Sequence, residues 1–410
     1  MTVERVARRP TAAQFAPPPT AADRARWVEA DRAARPVRLA RLRRRLAESG
    51  LDAYFGIRPE HTRYLTGMVL GDGEDRVAGS SGWFLISPNE VVLLADSRYR
   101  VQATREAPEA RIEPVYGDLD TRWPELMASL DARRIGAEAG AITQLTWTRL
   151  EGAAPDVELV AADGWLEADR AVKEPAELER IAAACAVADR ALAALLPEIR
   201  VGLTERELAL RLEWLIRTGG ADGLAFDVAC LSGPEAALPH GSPGDRPVLA
   251  GEVLLFDFGA LVDGYRSDMT RTLFVGEPAA RDLALYELVA AAQAAAIDGL
   301  ADAVRAGGPL PGGRTADGWA RAVIDAAGHG DRFGHGTGHG IGLATHELPR
   351  LSRTGDDLPL PSPTVFSVEP GVYLDGETGV RIEDLMAIDL AAGRIELLTH
   401  FPNGILVVGG

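Results

Sequence analysis

Five side chains with metal-binding chemistry occur in order through the second half of this 410-residue chain. They are Asp257, Asp268, His339, Glu369 and Glu383. Four carboxylates and one imidazole are the ligands that two neighbouring divalent cations need. Two such ions can also leave room for a reactive water. The residue types therefore predict a two-metal hydrolase.

The first two carboxylates flank a predicted hairpin. Asp263-Gly264 lies between Asp257 and Asp268 and is the strongest short turn signal in this region. A two-residue turn there would place Asp257 opposite Thr270, so that both carboxylates point to one face. An Asp beside a hairpin is often only a turn or edge residue. Asp257, however, lies in the apolar run VLLFDFGA, where an unpaired buried carboxylate would be costly, and this favours a functional role.

The last two carboxylates belong to a second predicted hairpin. Glu369 ends the strand-like run VFSVE, and Glu383 lies in the run VRIE. Gly376 and Gly379 occur in the connection between the runs. Because the separation of the two glutamates is centred on this connection, the hairpin can present both side chains to one face.

Three of the seven histidines fall in the segment HGTGHGIGLATH, which spans 335–346. Its glycines permit close backbone approach and leave the imidazoles accessible. His339 and His346 are predicted to be functional, whereas His335 is either a site residue or a core residue. His240, in the Pro- and Gly-rich loop ALPHGSP, is also a candidate. The three other histidines have no chemical context and are predicted to be structural: His61, His329 and His400.

The elements around these residues divide the chain into two domains. Residues 1–30 are predicted to form a loose N-terminal tail because of their Pro and Ala content. Short apolar runs alternate with helical patterns over 31–168, which predicts an α/β domain. A long Ala-rich helix opening near Pro175 begins the second domain, 169–410, whose mixture of helices and hairpins predicts an α+β fold.

Composition excludes several classes of protein. The chain has 43 Lys and Arg against 60 Asp and Glu, a formal charge of -17, so a nucleic-acid partner is not expected. Its two cysteines do not form a disulfide framework. We find neither an apolar run of membrane-spanning length nor a secretory signal, and therefore predict a cytoplasmic protein without a membrane partner.

Together, these motifs resemble the pita-bread metallopeptidases, which include Xaa-Pro aminopeptidases, prolidases and methionine aminopeptidases. The resemblance covers nearly the whole chain. It is specific, because the five ligand motifs appear in the family's order and approximate spacing. The segments TRYLTG (62–67) and ADSRY (95–99) look like the creatinase-type N-terminal domain of the proline-specific branch. The resemblance therefore implies a pita-bread catalytic domain preceded by a smaller α/β creatinase-like domain, and it favours that branch.

The resemblance also implies a role for each of the five ligands. Asp257 would chelate one metal ion, whereas Asp268 and Glu383 would bridge both ions. His339 and Glu369 would complete the other site. Oxygen-rich ligation with one imidazole favours Mn²⁺, with Co²⁺, Zn²⁺ and Fe²⁺ as alternatives.

Residues outside the ligand set receive roles in the same way. His240 and His346 resemble the two histidines that hold the substrate and the tetrahedral intermediate, and Arg381 matches a position near the metals. We predict these three to be catalytic. Tyr373 and His335 are candidate substrate-binding residues.

The implied reaction is hydrolysis of the peptide bond before proline by a water that bridges two metal ions. Glu369 would carry the proton from this water to the leaving nitrogen. The amide nitrogen of proline has no hydrogen, so the enzyme needs a pocket shaped for the ring. The alternative is a non-peptidase enzyme on the same fold, either a metal-dependent lyase or a creatinase-like amidinohydrolase. Creatinase-like members lack the acidic ligands, which counts against the second of these.

The sequence leaves aminopeptidase and dipeptidase activity open. Arg350 could pair with the free carboxylate of a dipeptide, or it could be a structural salt-bridge partner. The glycine-rich segment 69–83 belongs to a class of loops that can approach a partner subunit's active site in this family. The family resemblance also implies a homodimer.

Overall fold

The computed structural model describes residues 4–71, 73, 77–355 and 357–409. It contains two compact units. The N-terminal unit is Ala21–Asp169, and the C-terminal unit combines Met1–Thr20 with Arg170–Gly410. Part of the segment 69–83, namely 72 and 74–76, lies outside the described residues.

The N-terminal unit is built around one six-stranded sheet with the strand order β4-β3-β2-β1-β5-β6. Strand β2 is antiparallel to both of its neighbours, and the other pairings are parallel. The strands are β1 (Ala53–Gly56), β2 (Phe84–Ile86), β3 (Val91–Ala95), β4 (Arg111–Pro114), β5 (Arg134–Ala137) and β6 (Glu158–Ala161). The helices are α1 (Ala21–Ser49), α2 (Pro59–Thr66), α3 (Arg100–Glu106), α4 (Leu119–Ser129), α5 (Gln144–Ala153) and α6 (Trp165–Ala171), the last of which ends at the start of the C-terminal unit.

Residues 4–30 differ from the loose tail that composition predicted for 1–30. Helix α1 already begins at Ala21, and Trp27 is buried in it. Before this helix, the amide of Val6 donates to the carbonyl of Ile405 at 2.9 Å, and Arg190 donates to the carbonyl of Ala12 at 2.8 Å. Because these partners are distant in sequence, local composition carried no signal for them.

The described residues of the C-terminal unit contain four further α-helices. They are α7 (Pro175–Leu195), α8 (Glu205–Thr218), α9 (Ala280–Ala306) and α10 (Gly313–Ala326). Reciprocal side-chain caps start two of them: Glu174 with Glu177 at α7, and Thr204 with Glu207 at α8. The sequence predicted a long helix opening near Pro175, and α7 begins at this residue, because capping signals and apolar periodicity agree there.

Helix α9 is long and apolar enough to cross a membrane by length and composition alone, and it is the one such helix among the described residues. Core helices of soluble proteins pass the same test. Its buried side chains, which include Leu285, Val289 and Leu300, belong to the core of the C-terminal unit. This helix therefore has a packing role within the unit.

Four sheets complete the C-terminal unit. Their orders are β20-β12-β9-β8, β14-β13-β15-β18-β19, β11-β10-β7 and β16-β17. The strands are β7 (Gly223–Leu224), β8 (Ala229–Ser232), β9 (Val253–Phe258), β10 (Ala260–Val262), β11 (Tyr265–Arg266), β12 (Met269–Val275), β13 (Gly338–Gly340), β14 (Glu347–Leu351), β15 (Thr364–Val368), β16 (Gly371–Leu374), β17 (Thr378–Arg381), β18 (Asp384–Asp389), β19 (Arg394–Leu397) and β20 (Val407–Val408).

The first predicted hairpin is confirmed in its turn and its register. Asp263 and Gly264 both have positive φ, 45° and 75°, as a two-residue hairpin turn requires. Asp257 lies opposite Thr270, as the sequence predicted. The hairpin runs through two sheets, first as β10 and β11 and then as β9 and β12.

The second hairpin is also divided between two sheets. Strands β16 and β17 pair from Leu374 opposite Thr378 to Gly371 opposite Arg381. Pairing begins again at Val368–Asp384, where β15 meets β18. Glu369 and Glu383 lie between the two ladders, at opposite positions of the same register.

Candidate metal centre

The carboxylates lie where the two hairpins change from one sheet to another. Asp257 is in β9, and Asp268 immediately precedes β12. Glu369 immediately follows β15, and Glu383 immediately precedes β18. Strand breaks of this kind redirect side chains, so acidic groups from both hairpins can converge on one place.

Three of the predicted ligands form a compact cluster. One ligating atom from each of Asp268, His339 and Glu383 lies within 4.8 Å of the others. The Nε2 atom of His339 is 3.7 Å from Asp268 Oδ2 and 3.3 Å from Glu369 Oε1. The structure therefore brings Glu369 to the same cluster.

Asp257 joins the cluster through Arg381. The Nη2 atom of Arg381 donates to Asp257 Oδ2 at 2.6 Å, and its Nε donates to Thr270 Oγ1 at 2.9 Å. Thr270 Oγ1 in turn donates to Glu383 Oε2 at 2.9 Å. Arg381 and Thr270 thus connect a carboxylate of the first hairpin with one of the second.

The chemistry of the cluster fits divalent cations. Burial, followed by the charges of the neighbouring carboxylates, raises the pKa of both Asp268 and Glu383 well above the usual range. Asp268 Oδ1 and Glu383 Oε1 are buried and have no hydrogen-bond partner in the described part of the chain. Buried carboxylate oxygens without partners are costly unless a cation neutralises them.

The backbone around His339 directs its imidazole towards the carboxylates. Adding a Cβ to Gly338 would place it 1.8 Å from the carbonyl oxygen of Ser367, so the strands approach too closely for a larger residue. His339 Nδ1 donates to the carbonyl of Gly340 at 3.0 Å, which leaves Nε2 as the atom that could ligate a metal ion. Burial lowers the pKa of His339, which favours the neutral form that a metal requires.

His335 belongs to a hydrogen-bonded chain that leads to Arg381. Its Nδ1 donates to the carbonyl of Gly336 at 2.8 Å, and its Nε2 accepts from the Tyr373 hydroxyl at 2.8 Å. The same hydroxyl accepts from Arg381 Nη1 at 2.9 Å. The structure therefore places His335 and Tyr373 beside the acidic cluster.

His346 and His240 approach the cluster from two loops. The rings of His346 and His339 have centroids 4.2 Å apart. His240 follows Pro239, whose carbonyl accepts from Arg381 Nη1 at 3.3 Å. His240 also contributes to the lowered pKa of His346, after the larger effects of burial and His339.

Arg350 lies beside the centre on strand β14. It is exposed and lies opposite His339 in the β13–β14 ladder. Side chains at opposite positions share a face of the sheet. Arg350 is therefore on the same face as a predicted ligand.

The sequence did not predict the polar residues that support the ligands. Ser367 Oγ donates to Glu369 Oε1 at 3.0 Å and accepts from the amide of His339 at 3.1 Å. Thr270 has the corresponding role at Glu383. Ser367 lies two residues before Glu369, and Thr270 lies two residues after Asp268. Strand alternation could therefore have indicated both.

Comparisons with known families agree with this geometry. Residues 179–389 match the family described as Metallopeptidase family M24. Residues 38–172 match the family described as Creatinase/Prolidase N-terminal domain. The chain is similar to an uncharacterised peptidase, YqhT, of Bacillus subtilis, at 32% identity over 372 residues, which is 91% of this chain and 100% of that protein. It is also 40% identical over 219 residues to a Xaa-Pro dipeptidase of Pyrococcus furiosus, covering 53% of this chain and 61% of that protein.

Solved structures show the same architecture. An X-Pro aminopeptidase from Thermotoga maritima MSB8 matches with a TM-score of 0.79 and 33% identity over 90% of this chain and 99% of that one. A prolidase from Pyrococcus horikoshii OT3 matches with a TM-score of 0.79 and 29% identity over 89% of this chain and 98% of that one. The predicted α+β fold with a creatinase-like N-terminal domain is confirmed. The chain belongs to metallopeptidase family M24, the pita-bread peptidases that its sequence motifs predicted.

Proposed function

We propose that this protein is a two-metal peptidase that hydrolyses the bond before proline. The convergence of Asp268, His339 and Glu383 within 4.8 Å carries this proposal, with Glu369 beside them. Relatives named Xaa-Pro dipeptidase and X-Pro aminopeptidase support the substrate class. The lyase and amidinohydrolase alternatives have no comparable support.

The five residues Asp257, Asp268, His339, Glu369 and Glu383 would hold two divalent ions. When bound, the ions would supply Lewis-acid activation of water and of the substrate carbonyl. The carboxylate-rich donor set favours Mn²⁺. We also propose that the protein is cytoplasmic, as its sequence predicted, and that it forms a homodimer, as the family resemblance implied.

Glu369 is the proposed proton shuttle. Its side chain is 16% exposed, compared with 6% for Asp268, so it lies on the more accessible side of the cluster. Ser367 donates to Oε1 and orients the carboxylate. A general base must be both positioned and accessible to the substrate, and the Ser367 bond and the exposure of Glu369 support this role.

The other polar residues would orient the substrate. Arg381 would keep Asp257 and Tyr373 in place through its bonds to both. His240 and His346 would donate to the substrate carbonyl and to the oxyanion that develops from it. His335 would fix the Tyr373 hydroxyl through the 2.8 Å bond.

Substrate comparison tests this proposal. The Mn²⁺-loaded protein should hydrolyse Ala-Pro or Ala-Pro-Ala at least about tenfold faster than Ala-Ala or Ala-Ala-Ala, because the proposed activity requires a pocket shaped for the proline ring. Glu369→Ala should abolish hydrolysis of both proline substrates. Glu377→Ala is a matched control, since this glutamate lies in the turn of the same hairpin and its side chain is 57% exposed. Substantial metal-dependent activity in pure Glu369→Ala protein would contradict the role of Glu369.

A further inference from the structure

A buried carboxamide on helix α9 contacts both segments that carry the glutamate ligands. Gln293 is 2% exposed. Its Nε2 donates to the carbonyl of Val368 at 3.1 Å and to the carbonyl of Ile382 at 3.3 Å. Each of these carbonyls belongs to the residue immediately before a ligand, Glu369 in one case and Glu383 in the other.

The hairpin itself leaves the spacing of these two ligands to other contacts. One ladder ends where Val368 lies opposite Asp384, and the other ends where Gly371 lies opposite Arg381. The two glutamates lie between these ends. At the break, the amide of Glu369 donates to the carbonyl of Thr337 at 2.7 Å, and the amide of Glu383 donates to the carbonyl of Thr270 at 3.1 Å. The two backbones therefore diverge towards different partners at the ligands.

Neighbouring groups fix the orientation of the Gln293 amide. Nε2 also donates to Asp384 Oδ2 at 3.0 Å, so its two hydrogens are shared among three acceptors. Asn403 Nδ2 donates to Gln293 Oε1 at 3.4 Å. Asp384 Oδ1 accepts from Arg271 Nη2 at 2.5 Å. With the donor and acceptor ends both assigned, the amino group points at the two ligand-bearing segments.

We propose that Gln293 is a positioning residue that sets the spacing of Glu369 and Glu383 and thereby the affinity of the centre for divalent cations. This inference rests on the proposed function, because it requires that the two glutamates bind metal. Removing the amide donors leaves two buried carbonyls without this partner, so the strands are free to separate at the break. Outer partners of metal ligands typically change metal affinity by about 10- to 100-fold.

Calorimetric titration of the metal-free full-length protein with MnCl₂ tests the inference. Gln293→Met keeps the length of the side chain and removes its donors, and it should weaken Mn²⁺ binding by about 10- to 100-fold. The visible spectrum of the Co²⁺-loaded variant should differ from that of the wild type, because the ligand geometry changes. Mn²⁺ affinity within twofold of the wild type would overturn the inference.

Tyr286→Phe is the matched control on the same helix. The Tyr286 hydroxyl is buried and donates to the carbonyls of Asn403 and Gly404 at 3.0 and 3.1 Å. This variant should lose stability and keep wild-type Mn²⁺ affinity. An equal loss of affinity in both variants would overturn the specific role of Gln293.

A second variant covers the case in which Gln293→Met does not fold. Gln293→Asn keeps the amide and shortens the side chain by one methylene, so an intermediate loss of Mn²⁺ affinity is expected. Wild-type affinity in this variant would overturn the inference. A wild-type protein that binds no Mn²⁺ would instead overturn the proposed function, and with it the premise of this inference.

Discussion

Arg350 is the residue at which the two forms of the proposed activity can be separated. Its place opposite His339 puts a guanidinium on the same face as this predicted ligand. A dipeptide that ends in proline has a free carboxylate close to the scissile bond, whereas in a longer peptide this group is an amide. A charge-assisted hydrogen bond to such a carboxylate contributes about 1.5–3 kcal/mol.

We therefore predict that Arg350→Ala lowers kcat/KM for Ala-Pro by about 10- to 100-fold and leaves kcat/KM for Ala-Pro-Ala nearly unchanged. Steady-state kinetics with both substrates check this. Arg353→Ala is the control, because Arg353 is an exposed arginine three residues away. Equal losses for both substrates would indicate that Arg350 has the structural role instead.

For individual residues, the sequence predicted which side chains belong to the candidate site better than it predicted their hydrogen-bond partners. The two-residue turn at Asp263-Gly264 was enough to place Asp257 opposite Thr270, because hairpin register follows from the turn. The bond from Arg381 to Asp257 could not be predicted in this way, since it joins two hairpins. Gln293 gave no signal at all, because a single polar residue in an Ala-rich helix has no periodicity that indicates its partner.

Among the elements, the loop that carries His346 is held by a buried ion cluster. Glu347, the first residue of β14, pairs with Lys173 at 2.9 Å and with Arg170, and all three side chains are at most 4% exposed. Glu347 Oε1 also accepts from the amide of Ala344 at 2.8 Å. On the other side of the loop, the amide of Arg266 donates to the carbonyl of Gly342 at 2.9 Å. The position of His346 therefore depends on Glu347.

This cluster gives a predicted pH dependence. Burial works to raise the pKa of Glu347, but Arg170 and Lys173 outweigh it and lower the pKa from 4.5 to about 2. A carboxyl whose pKa is lowered on folding stabilises the protein above pH 4.5, and this contribution is lost as the pH falls towards 2. The shift corresponds to about 3 kcal/mol.

Glu347→Gln should lower the free energy of unfolding at pH 7 by about 3–5 kcal/mol, because it removes the buried carboxylate that pairs with both Arg170 and Lys173. The difference between wild type and variant should shrink as the pH falls below 4.5. Denaturant titrations of both proteins at several pH values, in the presence of a chelator, measure this difference. A difference that stays constant between pH 5 and pH 3 would contradict the assignment.

The whole molecule has a chain path that its composition did not indicate. Met1–Thr20 belongs to the C-terminal unit, although Ala21–Asp169 forms the other unit. Phe15 stacks on Phe401 with ring centroids 6.1 Å apart and an interplanar angle of 12°. Contacts between residues almost 400 positions apart depend on the tertiary fold, so a Pro- and Ala-rich segment resembles a disordered tail when read locally.

Phe15→Ala should therefore destabilise the C-terminal unit by about 1–2 kcal/mol, through the loss of apolar burial and ring stacking. Hydrogen exchange of the backbone amides in 400–408 would report this loss as reduced protection. Arg8→Ala, an exposed position in the same segment, should have little effect. Unchanged protection in the Phe15→Ala variant would show that the segment does not stabilise the unit.

The central claim is that this protein hydrolyses bonds before proline and that it would need two divalent ions, held by the five residues, to do so. The most direct test is to remove all metal with a chelator and then to measure hydrolysis of Ala-Pro and Ala-Pro-Ala as Mn²⁺ is added back. We predict that activity disappears on chelation and returns with added Mn²⁺ until two ions per chain are bound. Full activity in the metal-free protein, or no hydrolysis of either substrate with Mn²⁺, Co²⁺, Zn²⁺ or Fe²⁺, would contradict the claim.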